Sequence, residues 1–347
     1  MKTQMPTPNE SLNPSMLAAL KEMVDETGHL DFETYVQTVL YAPEIGYYAR
    51  ESPRVGRLPE ADFYTAQSLG SIFGRLVVES CESLIGKETL GKYTFVEIGA
   101  ELGRSVLQGV AHSFGDVQTI RVGHEIVIPE NAIVFANEWL DAQPFRRFRF
   151  DRERDWIERG VEVADDGSIR EVDLPESCLD ALPYLEELPS QNQHDYLLDL
   201  PTGADKALQD LCSQPWSGLF LTLDYGLTLV QFLEERPEGV ARAYRRHRLS
   251  RDLLALPGNQ DITCHVCWDN LRNILHENGF RDIFLERQEA FFLRRASPVA
   301  EAIATAKPGT FDTDRQTLLE ILHPGNMGSK FQALCGVRKK RPRQTGR

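Results

Sequence analysis

The stretch Tyr93–Gly103, YTFVEIGAELG, constrains the fold more than any other part of the chain. Tyr93 to Ile98 reads as a short apolar strand that runs into a turn bearing Gly99 and Gly103, and the pattern predicts a helix from about Arg104 to His112. A strand ending in an acid and two spaced glycines ahead of a helix is how nucleotide-like cofactors are cradled. Gly99 permits a sharp backbone turn, and Gly103 permits close approach of helix and ligand. A helix start there would offer free N–H groups to a carboxylate or phosphate. The same pattern also makes an ordinary buried strand–turn–helix, so by itself it leaves the ligand open.

The surrounding pattern extends this unit in both directions. Apolar runs predict strands at 117–122, 132–136, 145–150, 156–163, 169–172, 195–199, 219–224, 261–268, 280–287 and 331–337. Helical spacing predicts helices at 14–26, 69–85, 177–188, 205–212 and 269–278, and a further one capped by Asp31 that turns Tyr35, Val36, Val39 and Leu40 inward. DDGS at 165–168 marks a hairpin turn, and Gly279 stops a helix. Strands alternating with helices imply an α/β core with a parallel sheet and an antiparallel end. The expected organisation is a disordered stretch at 1–14 and a helical segment at 15–92 packing on a core at 93–337. That core carries an inserted lobe at about 145–190 and 240–300, and a basic tail follows at 338–347.

Charge and cysteine usage narrow the functional classes. A net charge of −14 argues against nucleic acid as the main partner, and only the tail RKKRPRQTGR offers a contact to RNA or an acidic protein. Six scattered cysteines fit a reducing cytoplasm, no apolar run is long enough to cross a membrane, and the first residues do not read as a secretory signal. Cys264 and Cys267 form a lone CxxC with no second pair, so no metal site is expected. His265 between them reads as a core histidine, and YRRHR at 244–248 as a solvated basic helix face or a contact to an acidic patch.

Ligands of open α/β sheets bind beyond the C-terminal strand ends. Polar groups gather at three such ends: Glu97 with Gly99; Asn137 with Glu138 and Asp141; and Asp224 with Tyr225. Together with LYAPEIGYY, ADFYTAQSLGSIFG, ANEWLDAQPFRRF, LDYG, AYRRHR, DITCHV and HPGNMGSKFQAL, in that order, they carry a resemblance. From about Leu30 to Val337 the chain resembles the S-adenosylmethionine-dependent protein arginine methyltransferases of mitochondrial complex I assembly and their bacterial relatives. The resemblance implies a class I methyltransferase-like (Rossmann-like) α/β sheet with an additional α+β lobe, S-adenosylmethionine as cofactor and a protein as substrate. It implies that Gly99, Ala100 and Gly103 meet the methionine part of the cofactor, with Glu97 steadying the loop and Asp62 and Thr65 facing the same pocket. Asn137, Glu138 and Asp141 would line the methyl-transfer site. A guanidinium must lose a proton as it attacks, and carboxylates can hold it, align it and take that proton.

The chain departs from the family pattern twice. Glu101 and Leu102 stand where a glycine and a small residue are usual, which removes backbone freedom and brings a carboxylate near the cofactor's own. The acid that usually holds the ribose has Glu125 as its nearest candidate, yet Val122 and Ala132 lie too close together for a full parallel crossover. A helix–strand unit is missing there, or the segment is a hairpin. Two readings therefore stand side by side, a methyltransferase and a non-catalytic binding or assembly protein with a degenerate cofactor site. A nucleotide-dependent oxidoreductase fits less well, because no acid clearly matches the ribose position.

Overall fold

Six strands form the sheet that contains Thr94–Ile98. The structure, a computed structural model, describes residues 13–50, 70–100, 103–175, 194–246, 248–305 and 312–340. Asp62, Thr65, Glu101, the expected helix at 177–188 and most of both chain ends lie outside the described residues. The chain divides into two units, and the sheet belongs to the one built from Pro53–Gln143, Pro201–Gln231 and His265–Arg347. Its order is Arg281–Arg287, Gln332–Arg338, Ser217–Asp224, Asn131–Asn137, Thr94–Ile98, Asp116–Ile120. The last four strands run parallel, and Gln332–Arg338 is antiparallel to both of its neighbours.

Both faces of this sheet are covered, which is why its central strands are continuous apolar runs. Every residue of SGLFLTLD, 217–224, is buried. Alternate side chains serve opposite cores. Phe95, Ile133, Phe135, Leu219 and Leu221 pack with Phe73 and Leu76 of the Ser71–Ile85 helix and with Phe291 and Phe292 of the Gln288–Arg295 helix. Val96, Ile98, Val134 and Phe220 pack with Leu208 of the Thr202–Ser213 helix and Leu271 of the Trp268–Glu277 helix.

Two sequence expectations in this unit are corrected. Residues 104–112 form turns instead of a helix. Gln108 donates to the Ser105 carbonyl and Val110 to the Leu107 carbonyl, both at 3.0 Å, and Gly109 sits at φ +71°, where a right-handed helix cannot continue. Nor is the 117–133 segment a hairpin. Asp116–Ile120 and Asn131–Asn137 pair in parallel on opposite sides of Thr94–Ile98, and the link at 121–130 contains no helix. Gln214 pins that link, receiving the Ile128 N–H and donating to the Ile126 carbonyl, each at 2.9 Å. The helix–strand unit that would extend the sheet beyond Asp116–Ile120 is absent among the described residues.

Asp205, in the first turn of the Thr202–Ser213 helix, is mostly buried. Its Oδ2 accepts from Asn270 at 2.8 Å, while Oδ1 has no hydrogen-bond partner among the described residues. Burial pushes its carboxyl up to about 7. An unfolded aspartate ionises near pH ~4, so the native state is penalised progressively as pH rises from about 4 to about 7. Asp205→Asn should therefore raise the melting temperature by several degrees at pH 8, and the gain should vanish near pH 4. Thermal melts at both values check this; an equal gain at each, or a loss at pH 8, contradicts it.

The other unit comprises Met1–Ser52, Pro144–Leu200 and Phe232–Cys264. Asp31 caps the Phe32–Tyr41 helix, accepting the Thr34 N–H at 2.7 Å. Its larger sheet is antiparallel, in the order His29–Asp31, Asp155–Val163, Arg146–Asp151, Leu197–Leu200, with Ile169–Asp173 joined to Asp155–Val163 through the DDGS turn. Its buried charges are paired: Arg146 forks onto Glu158, and Arg147 reaches Asp199 at 2.7 Å and Glu171 at 3.2 Å. YRRHR is not a helix face. Tyr244 and Arg245 end the strand Arg242–Arg245, which pairs antiparallel with Arg248–Ser250, and Arg246 has φ +46°. The single strand expected at 261–268 is two, Asp261–Thr263 in this unit and Val266–Cys267 in the other.

Candidate active site

The parallel register gathers the polar strand ends. Ile98 lies opposite Ala136 and Asn137 opposite Leu223, so Gly99, Asn137 and Asp224 emerge at one rim of the sheet. Adjacent strands are roughly 4.8 Å apart, which sets the spacing of these groups.

Glu97 is fully buried, and its carboxylate holds the chain beyond Gly103 against the strand. It accepts the Ser105 hydroxyl at 2.6 Å and the Val106 N–H at 3.0 Å. Gly99 has φ +76° and donates to the Ile120 carbonyl at 3.0 Å; Ala100 donates to the same oxygen at 3.3 Å. A Cβ at Gly99 would lie 3.2 Å from Trp139 Cδ1, so the glycine lets the indole settle on the turn. Gly103 also has positive φ, at +70°, and nothing packs where its side chain would be. Glu125 is exposed on the 121–130 link, and Arg121, not an acid, directly follows the end of the Asp116–Ile120 strand.

Asn137 is the last residue of its strand and is buried. Its Nδ2 donates to Glu138 Oε1 at 2.9 Å, and its Oδ1 has no hydrogen-bond partner among the described residues. A buried acceptor left unmatched costs roughly 1–3 kcal/mol, which a bound donor would recover. Glu138 turns the chain at φ +50° and donates its N–H to the Leu223 carbonyl at 3.0 Å. Asp141 is buried in the same turn. Tyr225, following Asp224, packs on Phe331 with ring centroids 4.0 Å apart and lies beside the His265 ring at 6.2 Å.

Sequence reasoning noted Asp224 only as a polar strand end and passed over Trp139. Asp224 is fully buried, and its carboxylate binds the backbone of the turn that carries Glu138 and Asp141. LDYG marked the position, but its partners more than 80 residues upstream left no trace in the pattern. Burial pushes Asp224 up to about 7, against the pull of N–H donation from Tyr225, Leu140 and Asp141. Glu138 and Asp141, with the Asn137 side-chain carbonyl, make this rim rich in acceptors and suited to a cation.

A family model described as "Putative S-adenosyl-L-methionine-dependent methyltransferase" matches residues 85–284, more than half of the chain. The chain belongs to this family. The methyltransferases of this family take S-adenosyl-L-methionine as methyl donor, and a sulfonium is a cation of the kind the rim suits. The protein arginine methyltransferase NDUFAF7 homolog, mitochondrial, of Drosophila melanogaster is 24% identical over 387 residues, covering 94% of this chain and 85% of that one. A crystal structure of a superfamily member from Burkholderia thailandensis bound to S-adenosyl-homocysteine matches with a TM-score of 0.81, at 22% identity over 96% of each chain. A native crystal structure from the same organism matches at 0.77, also with 22% identity. The likeness fixes the methyltransferase fold, and the order of the six strands is the form it takes here. No helix among the described residues is long and apolar enough to cross a membrane. Nor do the described residues hold a cluster of metal-ligating side chains.

Proposed function

We propose that the chain transfers a methyl group from S-adenosylmethionine to an arginine side chain of a protein. The observation that carries this reading is Asn137, whose buried Oδ1 lacks a donor among the described residues while its amide is bonded to Glu138, on the strand next to the Gly99 turn. A guanidinium supplies an N–H donor that Asn137 Oδ1 can accept, and a positive charge suited to the carboxylates of Glu138 and Asp141. The Drosophila relative, named for protein arginine methylation, favours the same substrate.

In this reading Gly99, Ala100 and Gly103 border the methionine part of the cofactor, and Glu97 keeps their loop in place through Ser105 and Val106. The bound cofactor supplies a methyl group on a positively charged sulfur. Asn137 accepts one guanidinium N–H, and Glu138 and Asp141 align the group and offset its charge. Glu138 takes the proton that the attacking nitrogen must lose, since a guanidinium stays protonated at neutral pH. Glu125, exposed on the link, is the remaining candidate for the ribose.

The second reading, a binding or assembly protein, is favoured by the missing helix–strand unit and by Arg121 at the end of the edge strand. One experiment separates the two. Purified protein is titrated with S-adenosyl-homocysteine by calorimetry, then incubated with methyl-labelled donor and a cell extract freed of small molecules. Micromolar binding and label in methylarginine are expected. No heat at millimolar ligand, with no labelled protein, would leave the binding protein as the answer.

A further inference from the structure

Asp224 is the most deeply buried acid at the rim, and its surroundings are unusual. Its Oδ2 accepts the N–H of Leu140 at 3.0 Å and of Asp141 at 3.3 Å. Its Oδ1 accepts the Tyr225 N–H at 2.8 Å. Two successive backbone N–H groups converging on one anion form a nest of the type that elsewhere holds a phosphate. Here the anion is the end of the neighbouring strand.

The residues of that nest are the ones the proposed chemistry needs. Glu138 and Trp139 precede it, Trp139 lies against Gly99, and Asp141 closes it. Glu138 itself sits in the left-handed region, which a side chain adopts only when neighbouring contacts over-determine it. The Leu223 carbonyl fixes it on one side, and the Asp224 carboxylate fixes the turn on the other.

We infer that Asp224 is the positioning residue of the active site: it touches no substrate, and it sets Glu138, Trp139 and Asp141 by gathering the amides of their turn onto one carboxylate. This rests on the reading of that turn as the methyl-transfer site. Burial alone would favour a neutral group here, and the N–H donors oppose it, so ordering the turn and charging Asp224 reinforce each other.

Asp224→Asn keeps the shape and one acceptor oxygen but loses the charge. Expected results are a kcat at least tenfold lower per folded molecule, a Kd for S-adenosyl-homocysteine within threefold of the parent, and amide hydrogen exchange at least tenfold faster at Leu140 and Asp141. A kcat within twofold of the parent, or unchanged exchange at those amides, overturns the proposal. Asp224→Ala, which removes every acceptor, should exceed Asp224→Asn in both effects, and equal effects would reduce Asp224 to a packing group. If the parent protein transfers no methyl group, the reading of the site fails; the exchange arm, which needs no turnover, still decides whether Asp224 holds the turn.

Discussion

Glu138→Gln should lower the methyl-transfer rate by about a hundredfold or more and leave the affinity for S-adenosyl-homocysteine within a few-fold of the parent. A positioned general base contributes roughly 10²–10⁴ to a rate. The substitution keeps an oxygen that can accept from Asn137 Nδ2, so the contact found at 2.9 Å survives while the proton acceptor is lost. The backbone N–H of residue 138 still reaches the Leu223 carbonyl, and the turn keeps its shape. The loss therefore belongs in kcat. Single-turnover rates with labelled donor, read beside calorimetry, make the comparison; full activity in Glu138→Gln removes this residue from the mechanism.

Gly74→Ala should have the largest effect on stability of the substitutions considered, and it acts on the site from behind. Gly74 lies on the Ser71–Ile85 helix. A Cβ there would overlap the Val106 carbonyl oxygen and come within 2.9 Å of Val110 Cγ2. The carbonyl belongs to backbone already tied down by Glu97 through the Val106 N–H, so it has little freedom to retreat. Overpacking of this kind costs about 1–3 kcal/mol or more. We expect a clear fall in melting temperature and at least a tenfold loss of cofactor affinity, because any relief pushes the loop after Gly103 out of place. Melting temperature and calorimetry together test this; an unchanged affinity in a destabilised protein would separate the loop from the cofactor.

The strands of the parallel sheet were legible because burial on both faces makes them uninterrupted apolar runs, as in LFLTLD. The polar strand ends were legible for the complementary reason: Asn137 and Glu138 break such a run abruptly. The turns at 104–112 were not. Val106, Leu107 and Val110 have helical spacing and are buried, but they meet the Ser71–Ile85 helix from a turn whose direction Glu97 and Gly109 set. Helices Gln288–Arg295, Ser297–Thr305 and Asp312–Leu322 also escaped the sequence reading. The first follows the Arg281–Arg287 strand with no glycine or proline between them, so nothing in the residue types marks the boundary. Asp224 was visible as a residue but not as an organiser, since its partners are backbone atoms and side-chain patterns carry no record of those.

The bonds from Ser105 and Val106 to Glu97 decide which visitors this rim admits. In many nucleotide folds the chain after the glycine turn greets phosphate with unclaimed amides. Here the Val106 amide and the Ser105 hydroxyl already answer to a resident acid, and Glu138 and Asp141 add carboxylates at the same rim. A phosphate there would find that amide already taken, whereas a donor whose charge sits on sulfur asks nothing of it. Discrimination among adenosine-bearing metabolites is thus written into the scaffold before any of them is contacted.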